Sequence, residues 1–177
     1  MKRVRLATVW LDGCSGCHMS LLDIDERLLA VADKIELVYS PLMDAKTYPE
    51  AVDVALVEGA VSSEEDLEKL HKVRERTRIL VSLGDCAVNS NVPAMRNTYR
   101  RVDILHRAYQ ENASMPGPSP DRVVPPLRPK AVPLHEVVKV DLFLPGCPPS
   151  ADKIFDLLDR LLSGRRAEPE AAAAYFG

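Results

Sequence analysis

No stretch of this 177-residue chain reaches the run of about eighteen uninterrupted apolar residues that a membrane span requires. Nor is a secretory or transit leader expected from the opening Met1-Lys-Arg-Val-Arg-Leu-Ala-Thr-Val-Trp10, which begins basic but has only a short apolar run before Asp12. The expectation is therefore a soluble chain of the cytoplasm. Positive charge is not in excess either. Lys and Arg number 23 against 26 Asp and Glu, for a net charge of -3 and a pI near 5.8, so the electrostatic footprint of a nucleic-acid binder is absent. Internal repeats are absent as well. Cysteine is scarce, with four residues in all. In a reducing compartment such thiols stay free, which favours metal binding over disulfides. A chain of this length buries a core without a metal staple, so a metal here is expected to be functional.

The four thiols fall in three segments. Cys14 and Cys17 lie in Trp10-Leu-Asp-Gly-Cys-Ser-Gly-Cys-His-Met-Ser-Leu-Leu22, Cys86 in Ser82-Leu-Gly-Asp-Cys-Ala87, and Cys147 in Leu144-Pro-Gly-Cys-Pro-Pro149. Each segment closes an apolar run of the kind that forms a strand buried on both faces: residues 4–11, 79–83 and 137–144. Two further strands are expected at 35–39 and 52–57. Helices are expected from Met19 to Val31, from a Ser62 or Ser63 cap to about Arg76, within Met95 to Gln110, and from Ser150 to about Ser163. Ser63 and Asp66 have the spacing of a weakened capping box. Residues 40–50 read as a loop, and the proline-rich 113–135 as a long surface excursion. The domain is placed at 1–164, followed by an alanine-rich tail, 165–177.

Alternating strands and helices predict an α/β domain: a small doubly wound parallel sheet of about five strands. In that architecture ligands bind beyond the carboxyl ends of the strands. All four cysteines follow strands, so they share one sheet edge, and Glu58 shares it too. Thiolates select zinc, copper(I) or iron-sulfur clusters. Structural zinc sites usually draw on two close C-x2-4-C pairs. One pair and two solitary cysteines better suit a cluster embraced by three loops, while zinc stays open on composition. Gly13, Gly16, Gly84 and Gly146 would let the backbone approach a cluster closely, and Pro148 and Pro149 stiffen the loop beside Cys147. His18 reads as a polar residue at a helix start, Glu58 as a local cap or a proton-handling group, and Trp10 as core or interface.

Those segments, together with Val57-Glu-Gly-Ala60, resemble the small subunit of nickel-iron hydrogenases over residues 4 to about 162. The resemblance implies a flavodoxin-like fold in which Cys14, Cys17, Cys86 and Cys147 hold one [4Fe-4S] cluster beside the nickel-iron centre of a large subunit. It also implies a proton-transfer role for Glu58. With neither a twin-arginine leader nor further cluster ligands, the chain is most similar to the short form in bidirectional NAD-reducing hydrogenases. Such a subunit works with a large subunit and with a diaphorase module carrying flavin and more clusters.

Three other readings are weighed. The homologous subunit of respiratory complex I places two adjacent cysteines in its first motif, whereas Ser15 and Gly16 separate this pair. Coenzyme F420-linked hydrogenase subunits often carry additional ferredoxin-like cysteines, which are missing here. A zinc-stabilised scaffold on the same fold is the non-redox alternative. Flavin on this chain is disfavoured, because cysteines occupy the first loop where a flavodoxin has a hydroxyl-rich phosphate cradle. Family members commonly have a glycine pair after the third cysteine; this chain has Val88-Asn-Ser-Asn91, which puts the local loop shape in question.

Overall fold

In the computed structural model, residues 3–119 and 124–163 are described. The expected tail lies outside them. Strand β1 (Val4–Trp10) leads through the first cysteine loop to helix α1 (Gly16–Leu22), one turn α2 (Leu29–Ala32) and β2 (Ile35–Tyr39). There follow β3 (Val52–Glu58), β4 (Val61–Ser63), α3 (Glu64–Arg76), β5 (Thr77–Leu83), α4 (Asp85–Asn89) and α5 (Arg101–His106). The chain then runs through β6 (Leu127–Val132), β7 (Leu142–Leu144) and α6 (Ala151–Leu162).

Five strands form one parallel sheet in the order β2-β1-β3-β5-β7, the doubly wound arrangement expected. Central β3 is apolar nearly throughout because both its faces are covered. Its alternate residues serve opposite sides: Ala55 and Val57 pack with Ala7, Val9, Leu70 and Val73, while Val54 and Leu56 pack with Leu6, Ile24, Ile154 and Leu158. Helix α3 starts with the expected capping box, the Ser63 hydroxyl accepting from the Asp66 amide at 3.1 Å and the Asp66 carboxylate accepting from the Ser63 amide at 2.9 Å. Ser150 caps α6. Among the described residues no helix is long and apolar enough to cross a membrane.

Four expectations are corrected. The helix over 19–31 is broken: α1 stops at Leu22 and Asp25 turns left-handed (φ 55°), a conformation an α-helix cannot propagate. Its apolar spacing misleads because Met19, Leu22 and Leu29 are exposed; Ile24 and Val31 are buried, and Leu21 and Leu28 pack only partly against the core. The helix within 95–110 is likewise interrupted, a 3-10 segment Val92–Thr98 preceding α5 and a wider π turn following it. Inside the proline-rich excursion lies β6, paired antiparallel with β4 in a separate two-stranded sheet. Its Pro129 is tolerated because a two-stranded sheet is all edge, and Asn97 supports it by donating to the Ala131 carbonyl and accepting from the Ala131 amide, both at 2.8 Å. Finally, the strand over 137–144 shortens to β7. The Asp141 side chain accepts from the Leu80 amide at 2.8 Å, taking the place of a strand carbonyl, and pairs with Arg74 at 2.6 Å.

The irregular loop at 40–50 also contributes to the core. Tyr48 is buried, its hydroxyl 2.7 Å from that of Thr77 and its ring edge-on to Tyr39. Burial pushes the Tyr48 phenol up to about 12, although the Thr77 hydrogen bond opposes it. An unfolded chain releases this proton near pH 10, whereas the folded chain keeps it until about 12. Folding therefore weakens as pH rises through that window, by about 2–3 kcal/mol at its upper end, and is unaffected below it. Denaturant titrations from pH 8 to 12 should show this decline, and Tyr48→Phe should remove it. Comparing the two proteins at each pH isolates Tyr48 from the partly buried thiol of Cys17.

Candidate metal centre

The carboxyl ends of β1, β5 and β7 open into three loops that carry the cysteines. Beyond β1, Leu11 donates its amide to the Glu58 carbonyl at 2.9 Å, and Asp12 and Ala60 exchange two backbone hydrogen bonds. The first loop is thereby laid against the end of β3. The Trp10 indole donates to the Gly13 carbonyl at 3.1 Å, Ser15 turns left-handed (φ 63°), and the Gly16 amide donates to Cys14 Sγ at 3.4 Å.

The second and third loops are joined to each other. The Gly84 amide donates to the Leu144 carbonyl at 2.8 Å, the Asp85 amide to the Gly146 carbonyl at 2.9 Å, and the Gly146 amide to the Asp85 carboxylate at 2.7 Å. Ser20 in α1 closes the circuit, its hydroxyl donating to the Pro149 carbonyl at 2.5 Å. The Cys147–Pro148 peptide is cis.

Two thiols, those of Cys17 and Cys86, are partly buried, while Cys14 and Cys147 are exposed. Burial pushes the Cys17 thiol up to about 12, with Glu58 and the other three cysteines adding to the rise. Cys86 is raised by burial and then by Cys147 and Cys14, against a lowering hydrogen bond with the Val92 backbone. The four thiols are thus near enough for their charges to act on one another. Among the described residues no three Cys, His, Asp or Glu side chains come close enough to share a single ion. Soft donors that repel one another's negative charge fit a positively charged iron assembly, which would displace their protons on binding.

The glycines divide by what they meet. A Cβ on Gly84 would stand 2.2 Å from Cys17 Sγ and one on Gly16 3.2 Å from Cys14 Sγ, so these two make room for thiols. Gly13 instead faces Gly59 and Glu58, and Gly146 faces the Pro149 backbone; they make room for the chain itself. In the segment Val88-Asn-Ser-Asn91, Ser90 (φ 67°) and Asn91 (φ 21°) take the positive φ angles at which a glycine pair would be at ease. The Asn91 side chain also donates to Cys147 Sγ at 3.4 Å.

Two residues of the site were not read from their residue types alone. Asn91 is one. His18 is the other: it stands at the start of α1 as expected, but it is buried, and its Nδ1 lies 2.5 Å from Glu58 Oε2. The adjacency of β1 and β3 carried the signal, since residues just beyond neighbouring parallel strands meet.

Comparison with known proteins adds to this geometry. Residues 14–161 match the family described as NADH ubiquinone oxidoreductase, 20 Kd subunit. The chain is 47% identical over 170 residues to the NAD-reducing hydrogenase HoxS subunit delta of Cupriavidus necator, covering 92% of this chain and 80% of that one. It is 38% identical to a subunit of the vhu F420-non-reducing hydrogenase of Methanocaldococcus jannaschii, but spans only 57% of that protein's length. A crystal structure of an NAD+-reducing [NiFe]-hydrogenase in the H2-reduced state superposes with a TM-score of 0.89 at 45% identity, over 95% of this chain and 94% of that one.

Proposed function

Because this chain belongs to the NADH ubiquinone oxidoreductase 20 Kd subunit family, as a small subunit of the nickel-iron hydrogenase branch, we propose that it carries electrons between a large subunit and a diaphorase module reducing NAD. One [4Fe-4S] cluster, held by Cys14, Cys17, Cys86 and Cys147, would supply the one-electron chemistry when bound. Residues 1–164 form the cluster-bearing unit in this reading. The nickel-iron centre, the flavin and any further clusters belong to the partner subunits, and the assembly works in the cytoplasm.

The observation that carries this reading is the ring of four thiols drawn from three mutually hydrogen-bonded loops at one sheet edge. This chain's own groups prepare the ring. Gly84 leaves the space that Cys17 Sγ fills, Asn91 offers Cys147 a donor, and Ser20 ties the first loop to the third. Exposed Cys14 and Cys147 call for a covering large subunit, since a cluster works shielded from solvent. NAD is favoured as acceptor because the chain is 47% identical to the NAD-reducing relative and 38% identical to the F420-non-reducing one.

Iron, acid-labile sulfide and zinc should be measured on the complex purified without oxygen. About four irons and four sulfides per chain are expected for one cubane; stoichiometric zinc without sulfide would overturn the redox reading. Cys86→Ala should lose the cluster or convert it to a form with fewer irons, and full retention of iron and sulfide would contradict the ligand assignment. We further propose that buried Glu58 handles protons near the partner's hydrogen-activating site. Glu58→Gln should slow hydrogen oxidation roughly tenfold or more at unchanged iron content, and an unchanged rate would remove that role.

A further inference from the structure

Cys17 is followed by a histidine that the thiol ring leaves unused. His18 is 4% exposed and Glu58 2%, so their polar atoms must satisfy one another. Both hydrogen bonds that the Glu58 carboxylate accepts among the described residues come from His18, and both reach the same oxygen. The His18 amide donates to Oε2 at 2.8 Å, and the ring Nδ1 lies 2.5 Å from it. The second oxygen, Oε1, points the other way, 3.6 Å from where a Cβ on Gly13 would stand.

We propose that His18 is the positioning residue for Glu58: its ring and its backbone together pin Oε2 and so aim Oε1 at the first cysteine loop. The inference rests on the proton role proposed for Glu58. A carboxylate that passes protons needs one oxygen free in a fixed place, and proton transfer depends on reach before anything else. With the ring removed, only the amide bond would remain, and the carboxylate plane would turn about it. The ring Nε2 is buried without a partner among the described residues, so the ring is held through its Nδ1 side and through packing.

Asn and Gln at position 18 separate this role from filling space, because an Asn amide reaches the place of Nδ1 and a Gln amide the place of Nε2. The test uses the complex purified without oxygen. Three quantities are read: exchange of hydrogen with heavy water, iron and sulfide content, and the infrared band of the Glu58 carboxylate, identified by its loss in Glu58→Gln. His18→Gln is expected to slow exchange roughly tenfold and to displace the band at unchanged iron and sulfide. His18→Asn should recover most of the rate and return the band. In the double variant with Glu58→Gln, His18→Gln should cost nothing further, because the two residues act as one unit.

Equal rates and bands in His18→Asn and His18→Gln would overturn the proposal, as would additive losses in the double variant or loss of iron in His18→Gln. Should His18→Gln not fold, His18→Ala takes its place, and Asn must still outperform it. If Glu58→Gln leaves exchange unchanged, the proton reading itself fails. Slow exchange in Glu58→Gln alongside normal exchange in His18→Gln overturns the positioning role alone.

Discussion

Gly84→Ala should leave a folded chain stripped of its iron. Gly84 has φ 81° and ψ 163°, a region essentially reserved for glycine, so any side chain there costs about 1–3 kcal/mol of strain. The strain is the smaller part. The new methyl would lie 2.2 Å from Cys17 Sγ, far inside contact distance, and the sulfur must leave its place. The backbone cannot yield, since the Gly84 and Asp85 amides are bonded to Leu144 and Gly146. One of the four proposed ligands is therefore displaced while the other three thiols stay. Iron and sulfide per chain should fall at least roughly tenfold, as expected when the metal-binding free energy drops by more than about 1.4 kcal/mol. Gly117→Ala, at a glycine whose Cβ would meet nothing within 4 Å, is the matched control. Full cluster content in Gly84→Ala would contradict the placement of Cys17.

Gly59→Ala should instead act on the fold. Here φ is 93°, and the added carbon would stand 2.7 Å from the Leu11 carbonyl carbon and 2.9 Å from both the amide nitrogen and the carbonyl oxygen of Asp12. All three are backbone atoms, so no rotamer change relieves the overlap. Relief requires β1 and β3 to part where Asp12 and Ala60 exchange hydrogen bonds. Overpacking of this kind together with a forbidden φ should destabilise the protein by about 3 kcal/mol or more. Denaturant unfolding at neutral pH measures this directly, and a loss below about 1 kcal/mol would show that the two strand ends are less firmly joined than their geometry implies. Glu58 adjoins Gly59, so the displacement should reach the cluster loops and lower iron content as well.

The parallel sheet and the shared edge of the cysteines were legible because buried strands advertise themselves. Val54–Val57 and Ile79–Val81 are apolar without interruption, and a strand covered on both faces has little room for anything else. The Ser63–Asp66 cap was legible for a similar reason, being local. Non-local substitutes for regular structure were not legible. The Asp141 carboxylate stands in for a strand carbonyl on Leu80, and the Asn97 amide behaves as a strand partner to Ala131. Neither leaves a periodic trace. Exposed Met19, Leu22 and Leu29 carried a helical rhythm that the backbone interrupts at Asp25. At the site, the thiols were legible from residue type. Asn91 and His18 were not, because what they do depends on neighbours that only the fold supplies.

The hydrogen bond from Ser20 to Pro149 joins residues 129 positions apart, and the third loop that it anchors carries Cys147. During synthesis, at roughly 5–20 residues per second, the first thiols therefore wait unpartnered for many seconds after they leave the ribosome. Strand β5 and its loop can dock earlier, but Cys147 lies 61 positions beyond Cys86 (147 − 86). Completion of the proposed cluster must accordingly await Cys147, and until it emerges the nascent chain presents its Cys14–Cys17 pair without the full set of partners. Any machinery that delivers iron and sulfide to the proposed site has to act after that point and before a covering large subunit closes the opening.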